Sequence, residues 1–153
     1  SKKAAKETLN RYKRAYKRLA VRTPSACGAE FVATEDGIKA VKAKAEAIIK
    51  AESPVAEDYL TGRLRDIFRV PKTSKKACAA ILTAVRGLDG LASPDDDGEY
   101  RYASGKTEVF RPLDDKTPRD YADVCPEEIA VAARCALELY GAAATRLLKT
   151  CSR

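Results

Sequence analysis

Pro71 constrains this chain more than any other residue. From Ala56 to Leu88 apolar residues recur at helical spacing, yet Pro71 falls in the middle of the run. Proline lacks an N–H and fixes φ, so one helix cannot pass through it. The stretch therefore reads as two short helices joined by Val70-Pro71-Lys72-Thr73. Leu60, Leu64, Ile67 and Phe68 are the stripe of the first, which runs from Ala56 to Phe68. The second runs from Ser74, a suitable N-cap, to Leu88. At about 100° per residue, Cys78, Ile81, Leu82, Val85 and Leu88 share one side of it. Lys72, Lys75, Lys76, Ala79, Thr83 and Arg86 lie on an adjoining face, and Ala77, Ala80, Ala84 and Gly87 on a third. Residues 63–88 hold seven basic side chains against one acid, Asp66. An apolar face beside a basic face, opening after a tight turn, is the form of a recognition helix lying along phosphates. An ordinary solvated helix face has the same pattern.

The flanking segments extend the helical reading. Ala5, Leu9, Tyr12, Tyr16 and Leu19 form one stripe over 2–20, with lysines and arginines on the other faces. This predicts a basic helix, either docked on the body, serving as a nucleic-acid-binding arm, or continuing from a preceding domain. A membrane-surface helix fits less well, because tyrosines dominate its apolar face. Thr23-Pro24 ends it, and 23–35 reads as a loop with an extended piece at Phe31-Val32. Thr34-Glu35-Asp36 starts the next helix, with Ile38, Val41, Ala45, Ile48 and Ile49 on one face, and Ser53-Pro54 closes it. Val55 is placed to supply a single short strand.

Residues 89–99, "DGLASPDDDGE", read as a solvated acidic turn. They lack the full spacing of a calcium loop. Tyr100 to Arg111 read as a two-stranded hairpin turning at Ser104-Gly105, with Lys106 at its tip and Arg101 and Arg111 on its strands. Pro126-Glu127-Glu128 is a strong helix start, and the helix dipole explains its acids better than acid–base chemistry does. The helix that follows carries Ile129, Ala133, Ala136, Leu137, Tyr140, Ala144, Leu147 and Leu148 on one face. That stripe is long enough to pair with the helix at 2–20.

The net charge of +7 is unevenly placed. Residues 1–22 hold nine Lys/Arg and one Glu, leaving twenty Lys/Arg against twenty-one Asp/Glu in the rest. The pattern is a basic arm on a near-neutral body. Five cysteines stand far apart with no CxxC pair, and histidine is absent. A thiolate–imidazole zinc site is therefore not expected, nor a His-activated nucleophile, and no cofactor is implied. The cysteines suit reduced thiols in a cytoplasm. No apolar run is long enough to span a membrane, and no signal peptide is visible. The chain begins at Ser1 and contains no Met, which predicts a piece of a longer protein.

The order helix, strand, helix, turn, helix, hairpin is that of a winged helix. The expected fold is mainly α with a small β-hairpin, an α+β winged-helix-like core at 36–153 flanked by long terminal helices. Within it, "ESPVAEDYLTGRLRDIFRVPKTSKKACAAI", the later Phe110-Arg111 and "CPEEIAVAAR" resemble a bacterial domain family of uncharacterised function. That family occurs near the C-terminal end of very large helicase-like proteins, which pair a superfamily-one ATPase with a nuclease-like region. The resemblance spans about residues 48–135, through Glu52, Pro54, Val55, Arg63, Phe68, Lys72, Arg111 and Glu128 among others. In that family a Trp-Gly pair commonly stands where Phe68-Arg69 stand here, and a Gly where Ser74 stands. The resemblance implies a non-catalytic accessory module of a DNA-processing enzyme, and no GxxxxGK[ST] occurs in the chain. DNA phosphates would then be met by Lys72, Lys75, Lys76, Thr83 and Arg86, with Arg101 and Lys106 from the wing. The alternative is a domain whose basic face docks on an acidic surface of the parent ATPase or another protein.

Overall fold

The computed structural model describes residues 1–116 and 119–151. Among these residues lie six α-helices: α1 (Lys2–Tyr12), α2 (Ala29–Val32), α3 (Glu35–Glu52), α4 (Glu57–Phe68), α5 (Lys75–Arg86) and α6 (Pro126–Cys151). Three short strands, β1 (Val55–Ala56), β2 (Ala92–Pro94) and β3 (Tyr100–Tyr102), form an antiparallel sheet in the order β1-β3-β2. The chain is thus mainly helical with a small sheet, an α+β arrangement. No helix among the described residues is long and apolar enough to cross a membrane.

The core gathers α3, α4 and α5 over the sheet, with Val41, Ile48, Leu60, Leu64, Phe68, Ile81, Val85 and Tyr102 buried. Thr34 caps α3, its Oγ1 accepting from Gly37 N–H at 3.0 Å, and Glu35 and Asp36 sit at the positive end of the helix. Gly37 is obligatory here: a Cβ would stand 1.8 Å from the Phe31 carbonyl oxygen. Phe31-Val32 belongs to the single turn of α2 rather than to an extended piece. α4 ends with Arg69 in the left-handed region at φ 56°. Its N–H donates to Asp66, and that of Val70 donates to Arg65 at 2.8 Å, the double closure usually built on glycine.

α5 is rotated from the expected setting. Ala77, Ile81, Ala84 and Val85 face the core, whereas Cys78 and Leu82 are half-buried. The small residues turn inward because α3 and α4 both lie against this helix, and alanines let backbones approach closely.

Three further expectations are corrected. The helix predicted over 2–20 stops at Tyr12, and Lys13 turns to extended backbone. Phe110 N–H donates to Tyr12 O at 2.8 Å and Arg14 N–H to Phe110 O at 2.9 Å. Beyond them Tyr16 and Leu19 reach inward to Glu52, which an extended strap satisfies and a helix would not. The hairpin lies one strand earlier than predicted. β3 pairs back onto β2, with Ser93 opposite Arg101, and the acidic loop is its turn. Asp95 Oδ1 accepts from Asp97 and Glu99 N–H, both at 2.9 Å, and so shapes that turn itself. Phe110, expected on the returning strand, bridges Lys13 instead.

The third correction concerns α6. α1 packs along it, and Tyr12 and Arg11 both engage Glu138. The buried face of α6, however, is Glu128, Val131 and Cys135. Glu128 is held inside by two arginines, which sets the rotation of the helix and turns the predicted stripe outward. Leu137, Tyr140, Leu147 and Leu148 are between 66% and 72% exposed.

Candidate nucleic-acid interface

The first turn of α5 contains no acid, and Ser74 makes no side-chain cap. Lys75 and Lys76 stand in that turn and Lys72 just before it, all three exposed. A helix N-terminus carries partial positive charge and unsatisfied N–H groups, so cations there are locally unfavourable by about 0.3–1 kcal/mol each. No ion pair among the described residues involves these lysines. Beside them lies a shallow hollow bordered by Ala29, Glu30 and Ala33. Further along the helix, Lys76, Ala79 and Thr83 share a second hollow with Lys42 of α3. Lys42 was not anticipated as part of this face; α3 had to be placed against α5 before it could be.

The remaining basic residues named from sequence are differently placed. Arg86 is gripped by Glu57, its Nε donating at 3.0 Å and Nη2 at 2.8 Å, and its guanidinium lies 4.5 Å from the Tyr100 ring centroid. Tyr102 Oη donates to the same carboxylate at 2.8 Å. Burial alone would raise the Glu57 pKa, but the Arg86 and Tyr102 hydrogen bonds outweigh it and hold the carboxyl below its usual range. Arg101 pairs with Glu127. Lys106 is exposed on the loop after β3, where Ser104 N–H donates to Ser53 Oγ at 2.8 Å. It is therefore not at the hairpin tip, which carries Asp95, Asp96 and Asp97.

A second basic surface is the strap. Tyr16, Leu19 and Val21 turn into the body, while Lys13, Arg14, Lys17, Arg18 and Arg22 remain exposed. Arg18 and Thr23 border a hollow with Asp66 and Ile67 of α4. The expected arm of 1–22 thus divides into a helix on α6 and a strap that completes the core.

The strap is held by charges that point inward. Glu52 is fully buried and accepts from Tyr16 and Tyr59 hydroxyls at 2.5 Å each, Arg63 Nη1 at 2.7 Å and Leu19 N–H at 3.1 Å. Arg63 Nη2 donates to the Leu19 carbonyl at 2.6 Å. Nearby, Glu128 accepts from Arg111 Nη2 and Arg119 Nη1 at 2.8 Å each and from Arg111 N–H at 2.6 Å. Arg111 also donates to the Glu52 carbonyl at 2.6 Å, and both guanidiniums lie over the Tyr16 ring. Burial acts to raise both carboxyl pKa values, yet the donors around each outweigh it and keep both below the usual range. Burial and the Glu52 hydrogen bond push the Tyr16 hydroxyl the other way, far up. These carboxylates are inaccessible and saturated with donors, so their chemistry is structural. Sequence spacing read Glu128 only as a helix-start acid.

No family model matches the chain, and no curated protein or solved structure matches it either.

Proposed function

We propose that this chain is a non-catalytic nucleic-acid-binding module that holds a phosphate backbone against the N-terminal end of α5. The order α3-β1-α4-α5-β2-β3 supports reading the core as a winged helix, with α5 as its third helix. The observation that carries the reading is the cluster Lys72, Lys75 and Lys76. These are three exposed lysines at a helix end that already favours anions. Thr83 and Lys42 extend that face, and the outward cations of the strap add a second track. Arg86 and Arg101 are occupied by carboxylates and position the hairpin. The resemblance of residues 48–135 to the helicase-associated family supports a large DNA helicase-like protein as the parent.

A second reading is favoured by the acidic hairpin tip. Asp95, Asp96 and Asp97 would be repelled by phosphate if the wing approached DNA in the usual way. On this reading the lysine cluster docks on an acidic protein surface, with the parent ATPase the first candidate.

Anisotropy titration of the intact chain with labelled random-sequence duplex tests the proposal. Wild type binds at low salt with little sequence preference, because Lys, Thr and Ala are poor readers of base edges. Changing Lys72, Lys75 and Lys76 together to Ala weakens binding at least about tenfold with no loss of fold. Equal binding by the triple variant overturns the proposal, and binding to an acidic polypeptide but not to duplex selects the second reading.

A further inference from the structure

We infer that this chain pairs with a second copy of itself through α6, the two helices lying antiparallel across a two-fold axis. The inference does not depend on nucleic-acid binding. Its basis is that α6 carries both halves of one contact at opposite ends. At the N-terminal end an apolar hollow is lined by Pro112, Leu113, Tyr121, Val124, Ile129 and Ala132. At the C-terminal end Leu147 and Leu148 project, 66% and 71% exposed. Ile129 and Leu147 lie about 27 Å apart along one helix at 1.5 Å per residue. A parallel partner would set projection against projection and hollow against hollow. An antiparallel copy sets each projection into the other's hollow, and the contact closes on itself, as an isologous interface must.

The middle of the helix agrees with this. Leu137 and Tyr140 lie halfway between the two ends and are 68% and 72% exposed, so they face their own counterparts near the axis. Ala133 and Ala136 on one side and Ala144 on the other leave room for close helix approach. The size is also adequate. Two tyrosines of roughly 150–250 Å² each, with five exposed aliphatic side chains, approach the ~800 Å² that one partner contributes to a standard interface. That exceeds the largest apolar patch of a typical monomer, about 300–600 Å².

Sedimentation velocity on the intact chain from about 1 to 100 µM spans the weak end of affinities for interfaces of this size. The expected mass is twice 16.6 kDa at the upper end. Tyr140→Glu, Tyr140→Lys and Leu147→Glu should each weaken pairing roughly 30-fold or more while leaving helical circular dichroism and the melt unchanged. Equimolar Tyr140→Glu and Tyr140→Lys should regain the dimer, since opposite charges then meet at the axis. A wild-type mass of 16.6 kDa across the whole range overturns the inference. So does a dimer that these substitutions leave intact, or a mixture that stays monomeric.

Discussion

Arg63, Arg111 and Arg119 carry the same charge as Lys72, Lys75 and Lys76, but the fold treats the two sets in opposite ways. The arginines are buried and locked by Glu52 and Glu128. The lysines are exposed and crowd a helix end that opposes them. A planar guanidinium can satisfy a buried carboxylate and a backbone carbonyl together, whereas a solvated ammonium group does best in water. The inner set holds elements together, and the outer set is available to something outside the chain. Net charge does not distinguish the two; the position of each cation does.

The comparison breaks most visibly from the inside. Removing one member of a buried pair leaves its partner uncompensated, so Arg63→Ala or Glu128→Ala should cost about 3–5 kcal/mol, read by urea denaturation. Loss of less than about 1 kcal/mol would show that the pairs hold nothing together.

Acid should act on the inner set as well. Glu52 and Glu128 have folded pKa values held below the usual range. Their contribution is therefore fully present above the unfolded carboxylate value, about 4.3, and is lost as pH falls through the folded values. The melting temperature should change little from pH 8 to 5 and fall steeply below about 4. Glu52→Gln should show a shallower acid slope than wild type; parallel slopes would refute the assignment.

The outer set should respond with the opposite sign. Lys75→Ala together with Lys76→Ala relieves the dipole at the α5 N-terminus and should stabilise the fold by about 1 kcal/mol. Destabilisation by the pair would mean that these lysines serve the fold after all. The smallest effect is expected at Arg69, which holds φ 56° where glycine is unstrained. Arg69→Gly should stabilise by about 0.5 kcal/mol, the relief of left-handed strain less the entropy of glycine. A lower melting temperature would point to a side-chain role for Arg69.

Much of the helical core was legible because its punctuation is local. Thr34 and Ser53-Pro54 bound α3, Val55 supplies β1 as expected, and Pro71 separates α4 from α5. What was not legible depends on partners distant in sequence. The apolar spacing continues to Leu19, but Glu52 draws Tyr16 and Leu19 into an extended strap. The strand register followed Asp95, whose side chain makes a turn from what looked like a solvated acidic loop. The outward stripe of α6 follows from Glu128, fixed by arginines 9 and 17 residues away. On α5, periodicity found Lys72, Lys75, Lys76 and Thr83 on an exposed face, whereas the capture of Arg86 by Glu57 spans 29 residues.

The central claim is that the lysine cluster meets phosphate, and the salt dependence of duplex binding tests it most directly. Four to six neutralised phosphates give a slope of log K against log salt of roughly −4 to −5 for the wild-type chain. Removing Lys72, Lys75 and Lys76 together should make that slope shallower by about 2.7, at roughly 0.9 for each phosphate no longer neutralised. Identical slopes for wild type and the triple variant would contradict the account and place any DNA binding on the strap.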